Sequence, residues 1–481
     1  MKAIRYISAD TTLLYKTKTE NTSYIELLWG DRVVLEEPLG TKKRVKVKTR
    51  SLTGYVNSEV LRKDPLLEIY FIDVGQGDGV LIVTPERKHI LIDGGYIRSK
   101  QQTKRNAADF VDWKFFKDYC TDTITLDAMI NSHNDEDHYG GLWDLVNDEE
   151  KAELDTKKLD VKNFYYAGIN WFEKNGKRGL GPSENGYWTL IPGSKTEIKK
   201  YLTNNPSGYV LQGQWKQFIE ALLNKSPNFT RLSQNNGYLP DFGPAQSKAS
   251  IKVLAPIEEK LNGSPVLRRF TGPDAQNTNG HSVLLRIDYG KSRILLTGDL
   301  NAQSQKHILN YYKNSNSLNE LECDVIKSCH HGSDDCSYEF LSAVRAAATI
   351  ISSGDNENHN HPRPKIVSAS ALTGYKQISN DRVVTPLVYS TEIARSYKLS
   401  EPHNLTLTVK DKKTDYTKKT NAVISLGPAN NKKTRNLWKS LCVYGIIYGL
   451  VNVRTDGNKI LCATLNENKS KWEIETFNSR F

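Results

Sequence analysis

A chain of 481 residues that is 38% hydrophobic and 25% charged, with 32 Gly and 17 Pro, has the make-up of an ordinary folded protein, so disordered, collagen-like and disulfide-stapled classes drop out. Its length predicts two or three domains. The formal net charge of +11 is uneven: residues 1–63 hold 13 Lys/Arg against 7 Asp/Glu, residues 431–481 hold 9 against 4, and the stretch between is balanced at 44 each. Basic ends around a neutral body suit a polyanionic partner. The opening MKAIRYISADTT lacks the apolar run of a signal peptide, and the most apolar stretch, 441–453, is too short to cross a bilayer, so a cytoplasmic protein without membrane contact is expected. Six cysteines without a C-x-x-C pair suit a reducing compartment.

In chain order, residues 1–63 read as a small all-β module, because short β-branched or aromatic runs alternate with polar turns at hairpin spacing. Over 11–61 the order LLY, NTSY, WGDRV, VKV and TGYVNSEVL resembles a bacterial SH3-like domain, which implies binding to a protein partner or to another domain. Lys42, Lys43, Arg44, Lys46, Lys48 and Arg50 crowd into this module; a strand here places Lys46 and Lys48 on one face, a candidate nucleic-acid contact or simply a solvated edge.

After a linker at 63–65, the apolar runs of 66–95 predict the start of a buried sheet, followed by a helix near 106–119 and the strand LDAMINS. Residues 150–275 lack a strong period and read as an insertion that shapes a substrate site. Strands around the Gly290-Lys291 turn, then CDVIKS and TIISS, complete an α/β body over 66–430. Residues 431–481 read as a separate basic hairpin extension built on Thr455-Asp456-Gly457.

The densest chemistry is SHNDEDHYGG, 132–141, directly after an apolar strand. His133, Asp135, Asp137 and His138 are four potential metal ligands, on a loop fixed by the strand and a Gly140-Gly141 turn. Imidazole suits Zn, Fe or Mn, and carboxylate shifts the preference toward harder ions such as Mn. More candidates end later strands: Asp299 in LLTGDL, His330 and His331 in SCHHGS, His361 in NHPRP. Four such loops predict one shared sheet edge. The DVGQGDG turn, 73–79, has no Lys-Ser/Thr and no helix after it, so it predicts a tight hairpin beside that edge rather than a phosphate loop.

These pieces carry a resemblance. FIDVGQGD (71–78), ILIDGG (90–95), the His-x-Asp-x-Asp-His run (133–138), LLTGD (295–299), IKSCHHGS (326–333) and His361-Pro362 together resemble the metallo-β-lactamase superfamily, in particular its competence-protein (ComEC-like) branch. The resemblance implies an α/β fold, an αββα sandwich with two divalent ions, Zn or Mn, on one edge. By position it implies that His133 and Asp135 face one ion and Asp137 and His138 the other, with Asp299 bridging. His361 and one of His330 and His331 complete the set, while Asp93 and Asp73 stand behind the ligands and orient them. Asp135 replaces the superfamily's usual His, as in the competence branch. The first ion lacks a clear third ligand; Asn279 and His281 are the nearby candidates, and His281 reads equally as a hydrogen-bonding residue of the framework.

Two such ions lower the pKa of a bound water from about 16 to about 7 and absorb charge on the developing oxyanion. Asp137 would orient the resulting hydroxide, His330 or His331 would serve the leaving oxygen, and Ser333 with the Gly332 loop would hold a phosphate. The expected function is therefore a metal-dependent phosphodiesterase, a nuclease, acting on nucleic acid or a nucleotide, with an oligomer compatible. The alternatives are hydrolysis of a cyclic or signalling nucleotide, hydrolysis of an acyl or lactam bond, and a non-catalytic SH3-linked adaptor. The architecture also suits a bacterial defence effector.

Overall fold

The computed structural model describes residues 2–40, 43–101, 103–203, 205–225, 227–354, 361–391, 404–409, 412–417, 422–426, 433–437, 449–466 and 470–481. Two compact units emerge, residues 1–394 with 449–481, and residues 395–448. In the second unit, Asn404–Val409 pairs with Lys412–Thr417 and Ala422–Leu426 with Lys433–Leu437, both antiparallel. The α/β body thus stops short of residue 430 and resumes at 449.

Residues 4–62 form a seven-stranded sheet with a core of its own. Alternation builds it: along Arg44–Thr49, Val45, Val47 and Thr49 are buried while Lys46 is exposed.

The main body is built on Leu67–Phe71 (β1), Val80–Val83 (β2), His89–Ile92 (β3), Ala128–Asn131 (β4), Asn163–Tyr166 (β5) and Asn228–Arg231 (β6). Ser250–Ala255 (β7), Leu284–Tyr289 (β8), Ser292–Leu296 (β9), Val325–Lys327 (β10), Ala348–Ile351 (β11) and Leu387–Ser390 (β12) follow. Val451–Thr455 (β13), Lys459–Asn466 (β14) and Lys471–Asn478 (β15) close the series. One sheet runs β6-β5-β4-β3-β2-β1-β13-β14-β15 and the other β7-β8-β9-β10-β11-β12.

The strands read as continuous apolar runs because both faces are covered. Ile69, Ile82, Ile90 and Ile130 of the first sheet meet Ile251, Leu285, Ile294 and Ile350 of the second in one core. The alternate residues Tyr70, Leu81, Leu91 and Met129 point away, against Ala107–Trp113 (α1), Glu136–Val146 (α2) and Gly213–Asn224 (α3). Leu284, Leu295 and Ile326 face Ala302–Asn314 (α4) and Tyr338–Val344 (α5) on the far side. The layers are therefore helix, sheet, sheet, helix.

Three sequence expectations change. The 150–275 stretch is partly framework: β5 and β6 extend the first sheet, and Phe164, Tyr166 and Phe218 lie in its core. The C-terminal tail does not stand apart over β13–β15; β13 pairs antiparallel with β1, because Val451 and Val453 need a covered face and β1 offers an open edge. Gly140 and Gly141 are not a turn but lie inside α2, where a Cβ on Gly141 would run into the Gly94 carbonyl; their bareness lets the helix cross the β3 loop closely.

Candidate metal centre

The loops that follow β1, β3, β4, β9 and β10 meet at one end of the sandwich, tied by backbone bonds such as Gly94 N–H to the His138 carbonyl (2.7 Å), Val283 N–H to Ser132 (3.0 Å) and His330 N–H to Gly298 (3.2 Å). Asp78, His138, Asp299 and His331, all buried, bring one ligand atom each within 4.8 Å of one another. Among the described residues this is the group of this kind.

Each imidazole is fixed from behind. His138 Nδ1 donates to Asp93 Oδ2 at 2.8 Å, and Asp93 Oδ1 accepts from the Ser132 amide at 2.7 Å. His331 Nδ1 donates to the Ser352 carbonyl at 3.2 Å. Both Nε2 atoms therefore face Asp299, where replacing their proton by a cation would turn a lone pair onto it. His138 Nε2 lies 3.3 Å and His331 Nε2 2.9 Å from Asp299 Oδ2, yet neither nitrogen, nor Asp299 Oδ1, has a partner aligned for a hydrogen bond. Atoms that crowd together without bonding one another point at a common centre. His330 and His331 reach their places on left-handed backbone, φ 48° and 52°, a strained turn of the kind that accumulates at functional sites.

Electrostatics agree. Burial works against the charged forms of His138 and His331, but Asp299 with Asp93 beside the first and Asp78 beside the second outweighs it, and both imidazoles hold protons well above the ordinary range. Burial likewise opposes the Asp299 carboxylate, which His331 and His138 nevertheless keep well below its usual pKa. Asp78, opposed by burial, is lowered by Lys327, whose buried ammonium contacts its carboxylate and lies 3.0 Å from the Gly298 carbonyl and 3.7 Å from Asp299 Oδ1. Asp78, Asp93, Asp137 and Asp299 outnumber that one ammonium, so a divalent cation in place of the imidazole protons fits the charge of the pocket. A mixed imidazole and carboxylate set suits Zn, Mn or Fe.

The remaining sequence candidates fall around this group. Asp137 Oδ2 is 3.4 Å from His331 Nε2 and Oδ1 3.9 Å from His138 Nε2. The His133 ring lies 4.0 Å from that of His138, and its Nε2 is 3.7 Å from Asp135 Oδ2. Burial and the neighbouring Asp137 raise Asp135 to about 7, and Thr278 Oγ1 donates to it at 3.1 Å. His330 stands at the mouth, 26% exposed, 3.9 Å from Asp299 Oδ2. The His361 ring is 5.9 Å from that of His330 and 6.4 Å from that of His331. Asp73 serves its own loop, accepting from the Gly75 amide at 3.2 Å, and Ser333 Oγ accepts from the Asp335 amide at 3.2 Å.

Two expectations are corrected. His281 is not brought to the group: its Nε2 donates to the Arg268 carbonyl at 2.7 Å, its ring stacks on Phe270, and burial lowers it to about 4. On the basic strand, Lys42 lies outside the described residues, Lys43 and Lys46 are exposed and Lys48 half-buried, but Arg44 is spent within the module, 3.5 Å over the Tyr15 ring and donating to the Glu20 carbonyl at 2.6 Å. Sequence reasoning missed Asp78 and Lys327; Lys327 closes the apolar run of β10, and Asp78 lies in the DVGQGDG turn expected beside the edge.

No family model matches the chain. It is similar to the ComE operon protein 3 of Bacillus subtilis (strain 168), 23% identical over 315 residues, which are 62% of this chain and 30% of that protein. It is also similar to the competence protein ComA of Neisseria gonorrhoeae, 30% identical over 104 residues (21% of this chain, 14% of that protein). Recombination protein 2 of Haemophilus influenzae is 38% identical over 77 residues (16% and 9%). The chain spans less than a third of the length of these relatives. Structural neighbours are Tm1679, a metal-dependent hydrolase of the β-lactamase superfamily (TM-score 0.30, 11% identity, 68% of this chain and 97% of that one), and a diphosphatase of the PhnP family (TM-score 0.26, 12% identity, 59% and 85%). No helix among the described residues is long and apolar enough to cross a membrane.

Proposed function

We propose that this chain is a metallo-β-lactamase-type hydrolase of the competence-protein branch and that it cleaves phosphodiesters, as a nuclease. The observation that carries the reading is the buried group Asp78, His138, Asp299 and His331, one ligand atom of each within 4.8 Å of the others, in which the Nε2 atoms of both imidazoles crowd Asp299 Oδ2 without an aligned hydrogen bond. A divalent cation held there, Zn or Mn, supplies an activated water and neutralises charge gathering on a phosphoryl oxygen.

The chain's own residues do the rest. Asp93 holds the His138 Nδ1 proton and keeps Nε2 turned inward. Asp137, on the first turn of α2, faces both imidazoles and is placed to accept a proton from the attacking water. His330, at the mouth, is placed to give a hydrogen bond to the leaving oxygen, and the Gly332 amide region to hold a non-bridging oxygen. The number of ions belongs to the proposal: His138, His331 and Asp299 would hold one, and His133 with Asp135 would serve a second. The SH3-like reading of residues 4–62, as a module that binds a protein or another domain, is part of it as well.

The test measures metal content by elemental analysis, and cleavage of single-stranded DNA, double-stranded DNA, RNA and bis-p-nitrophenyl phosphate with Mn or Zn. Bound metal and diester cleavage, both lost in a D299A/H331A variant, are expected. Bound metal with no diester cleaved under any condition would overturn the reading.

A further inference from the structure

We propose that the hairpin 172–179 is the track along which a single strand of nucleic acid runs from the metal centre, with Arg178 as its hinge point; this rests on the phosphodiesterase reading. The hairpin pairs Phe172–Lys174 with Lys177–Gly179. It separates two clefts, and Arg178 lines both. The inner one, about 250 Å³, has Asp135 and Trp171 among its walls and so opens beside the metal-ligand loop. The outer one, about 340 Å³, is walled by Lys174, Lys177 and Tyr209.

Two of the three cations are held on rings rather than by carboxylates. The Arg178 guanidinium lies 3.7 Å from the centre of the Trp171 ring, and Lys174 Nζ lies 4.3 Å from that of Tyr209. Trp171 is itself fixed, donating through Nε1 at 3.0 Å to the carbonyl of Asn134, the residue between His133 and Asp135. A ring face orients a cation without consuming its N–H donors, so the full fork of Arg178 stays available. Lys177 and Arg178 are exposed, and among the described residues Lys174, Lys177 and Arg178 form no ion pair. Exposed positive charge set in place by aromatic rings suits the phosphate backbone of a strand of any sequence. Each cleft has the size that encloses one small group, which a single strand can offer and a duplex cannot. The cations of the N-terminal strand compare poorly, since Arg44 is already engaged.

The experiment follows binding of a fluorescein-labelled 20-mer oligothymidylate to the full chain by anisotropy, in EDTA and across a salt series. Alongside it runs hydrolysis of bis-p-nitrophenyl phosphate by the wild type with Mn or Zn. The K174A/K177A/R178A variant is expected to bind at least tenfold more weakly and to lose about two units of the log–log salt slope, roughly 0.7 per phosphate contact. R178K, which keeps the charge and loses the stacked plane, should fall between. Wild-type-like binding by the triple variant, transfer of the loss to K43A/K46A/K48A, or no oligonucleotide binding by the wild type would each overturn the track. Hydrolysis present without hairpin-dependent binding sinks the track alone; binding that depends on the hairpin without any diester hydrolysis sinks the phosphodiesterase reading alone and keeps the strand-binding site.

Discussion

Two of the places where the molecule buries ionised side chains are built on opposite plans. Where the N-terminal sheet meets β13, Asp31 is matched on both oxygens: Arg454 reaches Oδ1 at 2.8 Å, while the Leu28 amide and Arg50 reach Oδ2 at 2.9 and 2.6 Å. Arg454 also caps the Trp29 carbonyl at 2.6 Å, beside a small core of Leu28, Trp29, Leu66, Leu461 and Ala463. At the other end, His138 Nε2, His331 Nε2 and Asp299 Oδ1 are equally buried and left without aligned partners. Buried charge is structural where every lone pair finds its donor, and functional where several stop short around one point.

Breaking the unmatched set should have the largest effect. D299A is expected to lose bound divalent metal and at least about 1000-fold of diester hydrolysis, the scale on which transition-state charge partners act. Its melting temperature should no longer rise with added Mn or Zn, whereas saturation at 100 times Kd stabilises a competent site by about 2.7 kcal/mol. Elemental analysis and calorimetry check both halves.

The matched set should fail in stability rather than activity. R454A leaves Asp31 buried without its main-sheet partner and should cost about 3–5 kcal/mol in urea unfolding, with metal content per folded chain unchanged. Acid sharpens the same point. Burial pushes the Asp31 carboxyl up, but Arg50 and Arg454 outweigh it and hold it at about 2. A depressed folded-state pKa adds stability above the unfolded value near 4, and that stability fades as the pH falls toward 2. The gap between wild type and D31N, about 2.5 kcal/mol at neutral pH from this term, should therefore narrow between pH 4.5 and 2.5. A gap that stays constant there would show that the carboxylate charge is not what matters.

D93N probes the seam between the two plans, because Asp93 is matched yet serves the unmatched His138. A drop of about 10–100-fold in metal affinity is expected, with little change in unfolding. The smallest effect belongs to the surface: K43A and K46A should each stay within about 0.5 kcal/mol of wild type in stability.

Much of the centre was legible because His133, Asp135, Asp137 and His138 fall within six positions, and Asp299, His330 and His331 each close an apolar run. Asp78 and Lys327 were not. They meet across 249 residues, and neither position has a local pattern that names the other. The choice between His330 and His331 depended on two left-handed residues, a backbone detail that residue types do not carry. Likewise His281 sat in a ligand-like run, but the short helix Asp274–Gly280 turns it toward Arg268 and Phe270. The α/β body was readable from apolar runs of strand length, while its four layers were implied only by the resemblance. The placement of β13–β15 was not, since a hairpin signal specifies its own turn and says nothing about which edge it joins.

That placement has a consequence during synthesis. β1 is among the first strands of its sheet to be made, and its partner β13 follows about 380 residues later; at roughly 5–20 residues per second this is about 20–80 s of translation with an apolar strand edge open to other chains. The surface that receives the N-terminal sheet also lies on β13–β15, so that sheet waits just as long for its seat. Assembly is therefore a race between elongation and aggregation, and β13–β15 act as a latch that closes only once about 380 residues beyond β1 have been made.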